Sequence, residues 1–524
     1  MSTAPGQPKP MRTTGIFRTK TIEQSIAETT EAEYQLKKRL SALDLTVFGI
    51  GVIIGAGIFT LTGRAAATVA GPAVVISFVI AAAACGLAAL CYAEFASTVP
   101  VSGSAYTFSY ATLGEFVAWI IGWDLLLELM LGASVVAQGW SAYLGVFLGH
   151  LGLKIPENLS YGSSFDLPAL LLVAVLTALV AKGIKESMRV NLVLVAIKLF
   201  IVLFVIFAGI GFINTKNYSP FIPPAVPAAD AGHNVWTSPL LQTLFGIQPT
   251  TFGVMGIFAG ASLVFFAYIG FDVVATTAEE AKNPQRDLPI GIIGSLIICT
   301  LLYVGVTLVI TGMLPYNEIS VKASLATAFE SVGKSGYATL IAAGAVAGLT
   351  TVVMTLLIGA SRVVFAMSRD WLLPKSLGTT NPKTGTPVKI TVIIGTLVGC
   401  IAAFTPIGKL EEMVNIGTLS AFCLVSLSIP VLRRRRPDLK RSFKVPGNPF
   451  VPYLAAAASF YLMLTLPAET WVRFIIWMIL GLVIYFLYSK NNSRLAQGVH
   501  DIPAPDFSHP GPHSTTGDSP VHDS

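Results

Sequence analysis

Apolar residues along this chain arrive in runs of about 20, the length at which a helix crosses a hydrocarbon core, and polar or turn-forming clusters separate the runs. The pattern predicts twelve such helices, near residues 43–63, 71–97, 115–149, 167–182, 189–213, 251–280, 288–313, 336–368, 387–405, 412–432, 450–467 and 470–489. The separators include Gly71-Pro72, Pro223-Pro224 and Pro446-Gly447-Asn448-Pro449, residue types that end helices and open turns. Strands of a membrane barrel would run only about 10 residues and alternate strictly. The expected fold class is therefore an all-α membrane protein.

Composition agrees with this pattern. Of 524 residues, 53% are hydrophobic and 12% charged, against about 25% charged in a soluble protein. The net charge of +6 is no nucleic-acid signal, because its placement follows topology. With the N-terminus in the cytoplasm, the inward segments hold Lys37, Lys38, Arg39, Lys182, Lys185, Arg189, Lys282, Arg286, Arg369, Lys375 and the run Arg433 to Arg436, among others. The outward segments hold Arg64, Lys154, Lys216, Lys322, Lys334, Lys409 and Arg473. The bias is roughly threefold, and an odd number of spans would scramble it. Both termini are expected on the cytoplasmic side of a cell membrane, with a lipid bilayer as surroundings.

The ends read as appendages. Residues 1–40 are polar and finish in a charged, helix-like stretch, with no secretory signal. Residues 490–524 form a tail rich in Pro, His, Ser, Gly and Asp, a disordered composition, and its His500, His509, His513 and His522 are read as solvated rather than as metal ligands. Between them lie a ten-helix core (41–432) and a basic loop with two further helices (433–489). The five cysteines all fall inside apolar runs, so disulfides are not expected.

Two spans are unusual. The first reads Gly49-Ile50-Gly51-Val52-Ile53-Ile54-Gly55-Ala56-Gly57-Ile58-Phe59, with Gly63 further on. So many glycines fit either close helix packing of the small-xxx-small kind or an unwound segment at mid-membrane. The sixth, Phe265-Phe266-Ala267-Tyr268-Ile269-Gly270-Phe271-Asp272, has a mid-span glycine of its own. Interrupted helices in corresponding positions of two halves point to a transporter binding site. Spans one and six correspond if the core is two repeats of five, about 41–213 and 251–432.

The glycine run of the first span and Glu279-Glu280-Ala281-Lys282-Asn283-Pro284-Gln285-Arg286-Asp287-Leu288-Pro289 after the sixth closely resemble the amino acid–polyamine–organocation superfamily. Gly114-Glu115-Phe116, Gly122-Trp123-Asp124, Met367-Ser368-Arg369-Asp370 and Arg434-Arg435-Arg436-Pro437 extend the resemblance to its bacterial cationic-amino-acid-transporter-like branch, over about residues 38–489. The resemblance implies a five-plus-five inverted-repeat core of the leucine-transporter type with two peripheral helices. It implies that Ile53, Gly55, Ala56, Gly57 and Ile58 bind the substrate α-carboxylate. Phe266, Ala267, Tyr268, Ile269 and Gly270 are implied for the α-amine and side chain.

Few charges lie deep in the spans. Lys198 falls near the middle of the fifth and Glu128 in the middle of the third, positions that cost several kcal/mol facing lipid. Each is either a structural ion pair or a functional group. Apolar surroundings oppose the charge of a buried ammonium, which suits Lys198 to binding and releasing a proton. The resemblance places such a lysine where sodium-coupled relatives hold their ion, and it ties the glutamate to proton coupling. Lys198 is therefore expected to carry the proton, with Glu128 as its partner.

The expected function is secondary active, proton-coupled uptake of an amino acid by alternating access. Cationic amino acids are the first reading and small neutral ones, by symport or exchange, the alternative. A channel would need a continuous polar pore or filter repeat, and an enzyme a cluster of catalytic or metal-binding groups at one depth; neither pattern occurs in the sequence. Phe329-Glu330-Ser331-Val332-Gly333-Lys334-Ser335 lacks the first glycine of a phosphate loop, Ala328 standing there. No cofactor, metal, nucleic acid or obligatory protein partner is expected.

Overall fold

The computed structural model describes residues 15, 18–19, 40–98, 104–183, 188–227, 234–247, 250–381, 386–437, 439 and 441–497. The histidines of the tail lie outside the described residues. The apolar runs form α1 (Ala42–Ile53), α2 (Val74–Thr98), α3 (Glu115–His150), α4 (Leu167–Ala181), α5 (Met188–Ile210) and α6 (Gly253–Val264). They continue as α7 (Pro284–Met313), α8 (Ser335–Arg369), α9 (Val388–Phe404), α10 (Ile407–Arg435), α11 (Phe450–Leu464) and α12 (Ala468–Ile484). Among the described residues, eight helices are long and apolar enough to cross a membrane, and four shorter ones of 10–17 residues are also apolar.

Local chemistry sets the helix starts. Ser41 and Asp44 cap α1 reciprocally: the Asp44 carboxylate accepts from the Ser41 N–H at 2.9 Å, and the Ser41 hydroxyl accepts from the Asp44 N–H. This is the capping box of Ser41-x-x-Asp44. Asp166 caps α4 by accepting from the Ala169 N–H and also accepts from Ser141 on α3 at 2.7 Å.

The helices pack in two groups. α7 lies along both α1 and α2, and α6 lies against α2. Separately, α3 packs along α8, α4 along α9, and α9 touches both α3 and α8. α5 joins the groups by contacting α1, α7 and α8, while α10 runs beside α2, α3 and α11.

Two seams fasten the periphery. Glu94, near the end of α2 and fully buried, accepts from Arg433 Nε at 2.8 Å and from the Val445 N–H at 2.7 Å, with Arg441 at 3.6 Å. A carboxylate withdrawn from water needs such partners, and here they hold the basic loop after α10 onto α2. At the other seam Trp119 and Trp123 of α3 stack at 5.8 Å, and Trp123 stacks on Trp477 of α12 at 4.4 Å. Their indole N–H groups donate to Gly481 O and Trp477 O, each at 2.9 Å.

Candidate substrate and coupling site

The first and sixth apolar runs, each predicted as one span with glycines at its middle, are both interrupted. α1 stops at Ile53; Ile54 is extended (φ −71°, ψ 92°), and helical structure resumes with a π-helical turn over Gly57–Leu61. α6 tightens into a 3₁₀ turn at Phe265–Tyr268, Ile269 is extended (φ −61°, ψ 136°), and a second 3₁₀ stretch covers Asp272–Glu280. The two interruptions meet. A Cβ built on Gly57 would strike the Cα and Cβ of Ala267, and one on Gly270 would lie 2.6 Å from Val52 Cγ1. Gly270 also has φ +118°, a conformation that side chains resist. Both glycine roles weighed in the sequence are present, because Gly49 packs tightly on Ser295 of α7 while Gly55 lies at the break.

A broken helix leaves carbonyls at one end and N–H groups at the other without intrahelical partners. Side chains from three other helices meet part of this need. Lys198 of α5, 1% exposed, donates its Nζ to Gly51 O at 2.6 Å. Tyr303 of α7 donates to Ile53 O at 2.8 Å. Past the break, Tyr143 of α3 donates to Phe59 O at 2.5 Å. The stem of Lys198 lies against Gly348 of α8, where a Cβ would stand 2.9 Å from its Cγ.

The residues named from the resemblance occupy these places. Ile53 is the last residue of α1, and Gly55, Ala56, Gly57 and Ile58 span the break and the start of the helical stretch beyond it. N–H groups at such a start face outward from a positive dipole end and suit an anion. Phe266, Ala267 and Tyr268 form the tight turn opposite, with Ile269 and Gly270 at its break. Tyr268 is turned toward α2, donating to Phe78 O at 3.1 Å. On α8 the residue against Gly55 is Val352, 3.5 Å from a Cβ placed there, while the hydroxyls of Thr350 and Thr355 donate to Val346 O and Thr351 O of their own helix.

Glu128 is 2% exposed, and neither of its carboxylate oxygens has a hydrogen-bond partner. No hydrogen bond therefore joins it to Lys198. The charged groups around it are Asp272 and Asp124, with the Thr418 hydroxyl of α10 nearby. Asp272 opens the 3₁₀ stretch that follows the second break, next to the backbone N–H groups of Gly270 and Val273. Beyond the first break Arg64 pairs with the fully buried Glu411 of α10, and Asn415 of α10 donates to Ser262 O near the end of α6 at 2.8 Å. Tyr303, Tyr143, Asn415 and the Arg64–Glu411 pair were not singled out from the sequence. The only sequence trace of any of them is a polar group within an apolar run.

Tyr303 offers a direct check on how the break is held. In Tyr303→Phe the Ile53 carbonyl loses its partner, and an unsatisfied buried group costs about 1–3 kcal/mol. The expected result is a lowered melting temperature and weaker substrate binding, measured together on the purified protein, with a larger change in binding than in Tyr92→Phe. The Tyr92 hydroxyl has no hydrogen-bond partner to lose.

The sequence profile of the amino acid permease family matches residues 40–485. This chain belongs to the amino acid permease family. Similar permeases include the branched-chain amino acid permease BcaP of Bacillus subtilis (strain 168), 47% identical over 92% of this chain and 99% of its own length. The methylthioribose transporter of the same organism is 43% identical over 92% and 99%. The vacuolar cationic amino acid transporter 4 of Arabidopsis thaliana is 38% identical over 81% of this chain and 68% of its own. The permease is thus a membrane transporter and not an enzyme, and the superfamily resemblance read from its motifs holds.

Proposed function

We propose that this permease takes up neutral amino acids with aliphatic side chains, together with a proton, across the cell membrane. The observation that carries the substrate reading is the wall of the site. The residues that a side chain on Gly55, Gly57 or Gly270 would meet first are Val352, Ala267 and Val52, all apolar. An apolar wall binds aliphatic groups and leaves a substrate ammonium side chain without a partner. The similarity to two proteins named branched-chain amino acid permease, from Bacillus subtilis at 47% and Lactococcus lactis at 36% identity, supports the same side. One observation favours the cationic reading: the unpartnered, buried carboxylates of Glu128 and Asp124 could serve a cationic side chain.

In this reading the α-carboxylate of the substrate lies on the N–H groups of Gly55–Ile58 and its amine on the carbonyls that end the Phe265–Tyr268 turn. Lys198 carries the proton, at the carbonyl end of α1 where a cation is favoured. Twelve crossings in two five-helix repeats, with both termini cytoplasmic, complete the reading. The grouping of α1 and α2 with α6 and α7, and of α3 and α4 with α8 and α9, supports it.

The test is uptake of labelled leucine, alanine and arginine into proteoliposomes, with and without an imposed inward proton gradient. Accumulation of leucine driven by the gradient is expected, with arginine neither carried nor competing. Arginine uptake in preference to leucine would reverse the substrate assignment, and equal uptake without the gradient would remove the coupling.

A further inference from the structure

The segment 234–247, between α5 and α6, is built unlike a water-facing loop. It contains no Asp, Glu, Lys or Arg, and it presents Val235, Trp236, Leu244, Phe245 and Ile247 outward, with Trp236 61% and Phe245 72% exposed. Other connecting segments are charged: 151–166 holds Lys154, Glu157 and Asp166, 314–334 holds Glu318, Lys322, Glu330 and Lys334, and the earlier part of the α5–α6 connection holds Lys216 and Asp230. Scattered single apolar residues on a surface need no explanation, but a contiguous group with no charge in it does.

Two further observations say what covers this group. The first is continuity. The segment is bonded edge to edge onto the turn that opens α12: Leu240 N–H donates to Leu466 O at 2.9 Å, Ala468 N–H to Ser238 O at 3.2 Å, and Glu469 N–H to Trp236 O at 3.0 Å. α12 itself exposes Val472, Ile475, Ile476 and Ile479, the apolar face of a helix at the rim of a membrane protein. The second is how the segment uses its backbone donors. Asn234 N–H donates to Thr237 Oγ1, Trp236 N–H to Asn234 Oδ1, and Thr237 N–H to Asn234 O. Gln242 and Thr243 N–H groups both donate to Pro239 O, Phe245 N–H to Leu241 O and Ile247 N–H to Gln242 O. Leu240–Leu244 forms a short helix, and donors met within the protein are what backbone entering a low-water environment requires.

We propose that residues 234–247 lie in the bilayer interface as a lipid anchor, with Trp236, Leu244 and Phe245 among the acyl chains just below the headgroups. Tryptophan favours that depth because one edge of its ring is apolar and the other polar. The anchor continues into the pairing of Val226 and Pro227 with Thr250 and Thr251 and then into α6, where Phe252 N–H donates to Val69 O at 3.0 Å. The anchored segment is therefore followed closely in the chain by the contact between the first and sixth spans at Val69 and Phe252.

The experiment uses the full chain in phosphatidylcholine–phosphatidylglycerol liposomes, with Cys400→Ser to remove the exposed native thiol and a nitroxide attached at Phe245→Cys. Power-saturation electron paramagnetic resonance then compares collision with oxygen, which concentrates in lipid, and with a nickel chelate, which stays in water. Phe245→Cys is expected to favour oxygen as Ile476→Cys on α12 does, and to differ from Lys322→Cys in a charged connection. Accessibility to the nickel chelate equal to that of Lys322→Cys would overturn the proposal. So would a label shielded from both reagents with dipolar broadening between chains, which would make this face a contact between two copies. A second label at Leu244→Cys guards against a local effect of one substitution, and the result does not depend on transport activity.

Discussion

Lys198→Met is expected to bring proton-driven accumulation of substrate to background while leaving the folded protein and substrate counterflow in place. Methionine fills much of the lysine's volume but carries neither a proton nor a donor for Gly51 O. The orphaned carbonyl costs about 1–3 kcal/mol, too little to unfold a chain with this much buried packing. Lys198→Arg separates charge from proton exchange. A guanidinium stays charged at every accessible pH, so it holds the broken end of α1 but releases nothing. It too is expected to lose accumulation. The measurement is labelled-substrate uptake in proteoliposomes with a proton gradient, beside counterflow with none. Accumulation by Lys198→Met at the wild-type level would end the assignment of Lys198 as the proton site.

Gly57→Ala and Gly270→Ala are expected to damage the fold itself, where Gly55→Ala does not. At Gly57 the added methyl meets the backbone of Ala267, which has no rotamer to retreat into. Overpacking a tight contact costs about 1–3 kcal/mol, and more when backbone must shift. At Gly270 the collision with Val52 adds to a positive φ that an L-residue resists. At Gly55 the methyl would reach Val352 at 3.5 Å, an ordinary contact. Thermal melts and uptake assays on the three variants should show a lowered melting temperature and lost transport for the first two. Gly55→Ala should melt like the parent, with any change confined to substrate affinity. A Gly57→Ala protein that melts and transports like the parent would mean that the two breaks do not cross as closely as described.

These positions also show where sequence reading succeeds. The two interruptions were legible because glycine inside an apolar run is locally unfavourable and therefore informative. Lys198 and Glu128 were legible because a charge among leucines stands out. What surrounds them was not. Tyr303 is one tyrosine in an apolar helix, and its assignment to Ile53 O depends on how α7 lies along α1, a pairing 250 residues apart. Arg64 read as an outward loop charge, whereas it closes on Glu411 from a different helix. The carboxylate expected beside Lys198 instead has Asp272 and Asp124 for neighbours, because the faces of α3 are set by its packing on α8 and α10 and not by any local period. Helix breaks are local chemistry, while their supports are tertiary.

The stack of Trp119, Trp123 and Trp477 gives the protein an optical signature. Three of its seven tryptophans share one column, and indoles 4.4 Å and 5.8 Å apart couple their transitions. Near-ultraviolet circular dichroism of the whole transporter therefore carries a contribution from the Trp123–Trp477 contact between α3 and α12. That contribution reports, without any label, whether the rim helix stays attached while the interior changes shape.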